Sequence, residues 1–129
     1  MIVVDCAAVV DALTAIDDTD DLRRFLASDE LDAPALLDFE VVSALRGLTL
    51  RGNLSASRAE DALTDFEDMQ IHRWPAGDAL RRRAFQLRDN VSAYDAAYVA
   101  LAEALDCSLL TRDVRLAKAS RHLVRVEVR

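Results

Sequence analysis

The feature that most constrains this chain is a series of short apolar runs that alternate with helical stretches. The first run, Ile2-Val3-Val4, is β-branched and wholly apolar, which is typical of a strand covered on both faces. Four further runs with strand character lie near residues 31–33, 71–74, 108–111 and 124–128. Strands that alternate with helices predict an α/β fold with a central parallel sheet flanked by helices.

Apolar residues at helical spacing fill the intervals between these runs. They predict helices near residues 7–15, 21–27, 35–51, 78–88, 93–105 and 116–120, and one more that begins at Ser55 or Ser57. Ser92 is the predicted N-cap of the strongly apolar helix 93–105. With 129 residues and no repeat or linker, the chain is predicted to form a single domain over residues 1–129.

Composition narrows the cellular setting of the protein. The chain is 52% hydrophobic, yet no apolar run approaches the roughly 18 residues that a membrane helix needs. The N-terminus lacks the basic region of a signal peptide. Cys6 and Cys107 are too few for a disulfide framework and are predicted to be small buried hydrophobes. These features predict a cytoplasmic protein with no membrane partner.

Charge is distributed unevenly along the chain. The formal net charge of −7 argues against capture of nucleic acid by overall charge alone. Residues 1–74 carry 16 acidic and 6 basic side chains, whereas residues 75–129 carry 7 acidic and 10 basic ones. This asymmetry permits a basic rim around an acidic centre, although a run of charges on a helix is more often a solvated face.

Two carboxylates follow predicted strands directly. Asp5 ends the first strand, and Asp113 lies two residues after the strand 108–111. In open parallel sheets, ligands bind beyond the carboxyl ends of the strands, where the strand order reverses. If these two strands are neighbours there, both carboxylates share one crevice. Each Asp is equally suited to cap the helix that follows it, and the two roles are compatible.

Two more carboxylates border the apolar faces of predicted helices. Glu40 has Leu36, Leu37 and Ala44 as helical neighbours, and burial of its charge is costly unless it is paired or metal-bound. The alternative is a surface residue that pairs with a base such as Arg46. Asp95 lies in the first turn of its helix, where the helix dipole alone favours a negative charge.

A cluster of these four carboxylates has a simple chemical consequence. Like charges in one site repel and raise one another's pKa, so such a cluster is stable mainly with cations inside it. Ligand sets made only of oxygen select hard ions such as Mg²⁺ or Mn²⁺. Those ions activate water and neutralise charge on a phosphodiester. The pattern therefore favours metal-dependent phosphodiester hydrolysis.

Four segments of the chain resemble the PIN-domain nucleases, most closely the VapC-type toxins of toxin–antitoxin pairs. They are Ile2-Val3-Val4-Asp5, Phe39-Glu40-Val41-Val42-Ser43-Ala44-Leu45, Tyr94-Asp95-Ala96-Ala97-Tyr98-Val99-Ala100-Leu101-Ala102 and Leu110-Thr111-Arg112-Asp113. The resemblance covers essentially the whole chain. It implies a three-layer PIN-like fold with sheet order 3-2-1-4-5, and endonucleolytic cleavage of RNA with Mg²⁺ or Mn²⁺. It also implies a homodimer and neutralisation by a small antitoxin.

The resemblance also implies roles for individual residues. Asp5, Glu40, Asp95 and Asp113 become the catalytic and metal-binding set, with Thr111 and Arg112 as possible supporting residues. Thr111 would supply a hydroxyl that bonds to a metal ligand rather than to the metal. Arg112 would contact phosphate or a carboxylate. Ala7 departs from the family pattern, which often has Ser or Asn two residues after the first Asp.

Two other functions are compatible with the sequence. The chain could be a PIN-like protein-interaction module with weak catalysis, although a scaffold has no need to concentrate four carboxylates. Leu48, Leu50 and Leu54 are either core residues or, if exposed, part of a surface for a dimer partner or an antitoxin helix. A phosphatase or receiver-like domain also uses acidic pockets with Mg²⁺. That class requires a Lys after a later strand, whereas Lys118 lies inside a predicted helix.

Overall fold

A computed structural model describes residues 1–15 and 17–129, and in it short strands alternate with helices along the chain. The strands are β1 Ile2–Val4, β2 Leu31–Pro34, β3 Ile71–Trp74, β4 Ser108–Thr111 and β5 Val126–Val128. The helices are α1 Cys6–Thr14, α2 Asp20–Ala27, α3 Leu37–Leu50, α4 Ala56–Asp68, α5 Asp78–Gln86, α6 Ala93–Leu105 and α7 Val114–Ser120. Every strand pairing is parallel, and the order is β3-β2-β1-β4-β5. The predicted α/β class and strand order are confirmed.

The predicted element boundaries are most accurate where the sequence contains a recognisable helix N-cap residue. Helix α6 covers residues 93–105 as predicted, and the Ser92 hydroxyl accepts the N–H of Asp95 at 3.3 Å. Strand β5 begins two residues later than predicted, because the N–H of Val124 bonds to the carbonyl of Ser120 in the turn after α7. Helix α3 begins at Leu37 because the N–H of Ala35 bonds to the Trp74 carbonyl and extends the strand pairing.

Strand β1 forms the centre of the molecule. Its three residues are at most 2% exposed, as expected for a strand with neighbours on both sides and helices on both faces. Helix α6 packs across β1, β2 and β4, and α1 packs against α2, α3 and α4. The small residues Ala96, Ala100 and Ala102 are buried on α6. A short side chain at these positions lets a helix approach a sheet closely.

The exposed apolar surface differs from the one suggested by the sequence. Leu54 is buried and Leu48 packs against the core, so of those three leucines only Leu50 is exposed. The aromatic side chains Phe39, Phe85 and Tyr94 are exposed instead, each by more than two thirds of its surface. Sequence periodicity assigns a residue to a helix face, but it does not show which faces are covered by other elements.

Other sequence-based expectations have simple outcomes. Cys107 is buried as predicted, whereas Cys6 is half-buried, and both thiols are free. Among the described residues, none of the helices has the length and apolarity to cross a bilayer.

Candidate metal centre at the carboxyl edge of the sheet

Asp5 lies at the point where β1 becomes α1, and the residue is 4% exposed. One oxygen, Oδ1, accepts the N–H of Ala8 at 2.9 Å and caps α1. The other, Oδ2, accepts the hydroxyl of Thr111. The register of the sheet produces this second contact, because Val4 lies opposite Leu110 and the next residues are therefore Asp5 and Thr111. Asp5 is thus both a helix cap and a buried acid at the edge of the sheet.

Thr111 connects Asp5 to the other strand-end carboxylate. Its side chain is fully buried, and its hydroxyl donates to Asp5 while accepting the N–H of Asp113 at 2.9 Å. Asp113 in turn caps α7, accepting the N–H groups of Arg115 at 2.9 Å and Leu116 at 3.2 Å through Oδ1. The predicted supporting role of Thr111 therefore has a structural basis in a hydroxyl that joins two of the predicted site residues.

Glu40 and Asp95 reach the same edge from two helices. Glu40 lies in the first turn of α3 and Asp95 in the first turn of α6, and both side chains are half-buried. The hydroxyl of Tyr98 donates to Glu40 Oε1 at 2.5 Å. Tyr98 lies one turn after Asp95 on α6, so this helix contributes two groups to the site. The alternative partner for Glu40, Arg46, forms no salt bridge among residues 1–15 and 17–129.

The pKa shifts show that the four carboxylates interact. Burial raises the pKa of Asp5 to about 6, with smaller upward contributions from the charges of Asp113 and Asp95. Burial likewise raises the pKa of Glu40, and the charge of Asp95 adds to this effect. The pKa of Asp95 is also raised, by burial first and then by Asp113. Asp95 is therefore electrostatically coupled to each of the other three predicted site residues, and Asp5 is also coupled to Asp113.

Little positive charge offsets this cluster. Across the described parts of the chain, none of the four carboxylates forms a salt bridge. Arg115 lowers the pKa of Asp95 slightly through its charge. Arg112 pairs at 3.6 Å with Asp11 on α1, which links the loop after β4 to α1. For Arg112, this pair favours the structural role over a contact to substrate.

The donor set fits a hydrated divalent cation. Its donors are carboxylate oxygens, which hard ions prefer, and no salt bridge in the described residues neutralises them. In residues 1–15 and 17–129, no three His, Cys, Asp or Glu side chains already surround one point closely enough to coordinate an ion. Mg²⁺ usually takes one or two carboxylates and completes its shell with water. An ion held by one or two of these carboxylates and otherwise by water is compatible with this arrangement.

Tyr98 is the residue at this site whose role the sequence did not reveal. It lies inside an apolar helical stretch, where a tyrosine normally reads as core packing. The side chain is indeed buried, at 1% exposure, but its hydroxyl emerges beside Glu40. A buried tyrosine needs a hydrogen-bond partner for its hydroxyl. A second acidic residue predicted at the same sheet edge was the available sequence signal for that partner.

The Thr111 hydroxyl can be tested by replacing it with a methyl group. Thr111→Val should lower the free energy of unfolding by about 2–4 kcal/mol, because it leaves an oxygen of Asp5 and the N–H of Asp113 without a partner. Urea unfolding measures this difference. Thr14→Val is the matched control, since the Thr14 hydroxyl donates to the Val10 carbonyl within α1. Equal effects of the two substitutions would contradict the account.

The buried Asp5 carboxylate also predicts how stability depends on pH. The pKa of Asp5 is about 6 in the folded protein, against an ordinary value of 3.8. The folded state therefore binds more protons than the unfolded chain between these values, and the free energy of unfolding falls as pH rises through that interval. The loss from this group is roughly 3 kcal/mol when complete.

The measurement is urea unfolding of chelator-treated protein at several pH values between about 3.5 and 7. Asp5→Asn should weaken the decline, because it removes the titrating group and keeps a side chain of the same shape. An identical pH dependence in the two proteins would show that Asp5 does not carry the effect.

Comparison with known proteins agrees with this geometry. The family model of the PIN domain matches residues 2–122. Ribonuclease VapC1 of Mycobacterium tuberculosis is 46% identical over 118 residues, which cover 91% of this chain and 89% of the relative. VapC ribonuclease Mb0985 of Mycobacterium bovis is 43% identical over 116 residues, which cover 90% and 88% of the two chains.

A solved structure shows the same fold at much lower identity. A chain of the toxin–antitoxin complex from Klebsiella pneumoniae superposes with a TM-score of 0.62 and 16% identity, over 91% of this chain and 90% of that one. Together with the curated relatives and the family model, the comparison identifies the chain. It belongs to the PIN-domain family and, within that family, to the VapC ribonucleases.

Proposed function

We propose that this chain is a metal-dependent endoribonuclease that acts in the cytoplasm as the toxin of a toxin–antitoxin pair. The observation that carries the proposal is the group of four carboxylates at the carboxyl edge of the sheet, partly desolvated and without salt bridges in the described residues. Concentrated, unpaired negative charge destabilises a folded protein. A bound cation would offset this destabilisation, and a cation-dependent activity would explain why the carboxylates are clustered.

Asp5, Glu40, Asp95 and Asp113 are the residues that would hold Mg²⁺ or Mn²⁺. When bound, such an ion supplies the activation of water and the neutralisation of phosphate charge that phosphodiester hydrolysis requires. The chain contributes the orientation of the ligands. Thr111 and the N–H of Ala8 hold Asp5, and backbone N–H groups at the start of α7 hold Asp113.

RNA is the substrate that best fits the surroundings of the site. Both curated relatives are named as ribonucleases. Arg115, Lys118 and Arg121 are exposed on α7 or at its C-terminal end, and Asp113 caps the start of the same helix. Cations beside an acidic centre attract the phosphates that flank a scissile bond. They also explain how a chain with a net charge of −7 engages a polyanion.

An antitoxin partner fits a groove between α1, α2 and α4. The groove encloses about 980 Å³, its apolar lining includes Leu13, Leu26 and Met69, and Asp65 adds negative charge. An amphipathic helix with basic residues is complementary to such a surface. The similar chain from Klebsiella pneumoniae belongs to a toxin–antitoxin complex. We therefore propose that a small, basic antitoxin segment binds this chain.

A second copy of the chain fits the α5–α6 groove, which is lined by Leu36, Trp74, Leu80, Phe85 and Tyr94. This groove encloses about 560 Å³, and its lining is mainly apolar. Phe85 and Tyr94 are 67% and 68% exposed there. Exposed aromatic side chains around an apolar groove are typical of association surfaces. We propose that this face forms the interface of a homodimer.

Substitution of Asp95 tests the proposed activity. Asp95→Asn should reduce Mg²⁺- or Mn²⁺-dependent RNA cleavage by on the order of 100-fold or more, because a ligand is lost rather than one of its supporting contacts. Far-UV circular dichroism should be unchanged. The control is Asp89→Asn, the same change at an exposed position in the turn after α5.

Two outcomes of this experiment would overturn the proposal. Full cleavage activity in Asp95→Asn would exclude the carboxylate site. A wild-type protein that binds a partner but cleaves no RNA with either metal would favour the alternative function, a catalytically weak PIN-like interaction module.

The homodimer has its own test. Phe85→Glu should convert the dimer into a monomer in sedimentation equilibrium, because it places a charge in the α5–α6 groove. Leu50→Glu makes the same change at an apolar residue that is 68% exposed and lies outside the groove, and it should leave the mass unchanged. A wild-type monomer, or a Phe85→Glu dimer, would exclude this interface.

A further inference from the structure

We propose that Tyr98 is a positioning residue that holds Glu40 in the orientation needed to bind the divalent cation. This inference rests on the proposed function, since it concerns the same cluster of carboxylates. It adds a tyrosine hydroxyl to a site whose other contacts come from carboxylates, one threonine and backbone N–H groups. It also gives a role to a residue that sequence periodicity assigns to the core.

The geometry of the contact is specific. The Tyr98 side chain is 1% exposed, and its hydroxyl donates to Glu40 Oε1 at 2.5 Å. The two residues are 58 positions apart in the sequence and belong to α6 and α3. Core residues surround the ring, so the position of the hydroxyl is determined by packing. Glu40 therefore has a fixed donor on one of its oxygens.

Glu40 needs such a donor more than the two strand-end carboxylates, Asp5 and Asp113, do. Asp5 and Asp113 each accept backbone N–H groups at the start of a helix, which restrict their side chains. Glu40 has a longer side chain, is half-buried, and in the described structure receives its side-chain hydrogen bond from Tyr98. Because a glutamate has three rotatable bonds, loss of this contact would release several rotamers.

The hydrogen bond leaves room for a cation. A carboxylate offers about four lone-pair positions, and the Tyr98 hydroxyl occupies one of them. The remaining positions on Glu40 can accept a metal ion or its water. Asp95 lies one helical turn before Tyr98, so α6 fixes both the Asp95 carboxylate and the donor that orients Glu40. The two helix-borne ligands are thereby held relative to each other.

A purely structural role predicts a different result from a positioning role. If Tyr98 only fills the core and satisfies its own hydroxyl, removal of the hydroxyl changes stability but not metal affinity. If it orients Glu40, metal affinity falls even where the fold is retained. Partners that orient metal ligands commonly contribute 10- to 100-fold to affinity.

The test is the affinity of Tyr98→Phe for Mn²⁺, which is measured from the electron paramagnetic resonance signal of the free ion. The dissociation constant should rise by about 10-fold relative to wild type. Thr64→Val is the control, because it removes a hydroxyl that donates to the Glu60 carbonyl within α4. It should bind Mn²⁺ as wild type does. Wild-type affinity in Tyr98→Phe would overturn the inference.

A double-mutant cycle assigns the effect to Glu40. In a Glu40→Gln background, Tyr98→Phe should change Mn²⁺ affinity by less than about 2-fold, because the ligand that it orients is already lost. An undiminished effect in that background would also overturn the inference. Failure of wild-type protein to bind Mn²⁺ would remove the metal site itself, and with it both proposals. Wild-type binding with no effect of Tyr98→Phe would remove this inference alone.

A spectroscopic measurement covers the case in which Tyr98→Phe does not fold. The chain has two tyrosines, so in Tyr94→Phe protein Tyr98 is the remaining one. Addition of Mg²⁺ should shift its ultraviolet Raman bands, because a cation on Glu40 weakens the carboxylate as an acceptor for the tyrosine hydroxyl. Unchanged bands at saturating Mg²⁺ would contradict the inference.

Discussion

The hydrogen bond between the Asp5 carboxylate and the Thr111 hydroxyl is the contact on which the rest of the site depends. It joins residues 106 positions apart, at the ends of the two central strands β1 and β4. The Thr111 hydroxyl also accepts the N–H of Asp113 and so links Asp113 to Asp5. Two helices begin at these acids, α1 at Asp5 and α7 at Asp113. The same carboxylates therefore start helices and define one side of the acidic centre.

This arrangement combines a stabilising role with a destabilising one. As helix caps, Asp5 and Asp113 satisfy backbone N–H groups that would otherwise lack partners. As members of a cluster, the carboxylates lose water and repel one another, and the pKa values of Asp5, Glu40 and Asp95 rise. The capping hydrogen bonds hold Asp5 and Asp113 in the acidic centre, where ionisation of the carboxylates is unfavourable. The proposed divalent cation would relieve that cost, and its binding would then be linked to folding stability.

Much of the fold follows from local sequence signals, whereas the site depends on contacts between distant segments. Ser92 and the apolar run after it define α6, and the β-branched Ile2-Val3-Val4 marks the central strand. The positions of Asp5 and Asp113 after neighbouring strands follow from the rule on carboxyl edges. Tyr98 could not be linked to Glu40 in this way, because only the packing of α3 and α6 brings them together. The burial of Leu54 depends on tertiary packing in the same manner.

Asp5, Glu40, Asp95 and Asp113 are proposed to hold the catalytic metal of a ribonuclease. Anomalous diffraction from crystals grown with Mn²⁺ would locate that metal. A peak is expected among these four side chains, with at least one carboxylate oxygen at roughly 2.0–2.3 Å from the ion and water in the rest of its shell. A protein that cleaves RNA with Mn²⁺ while its peak lies away from all four carboxylates would contradict the account.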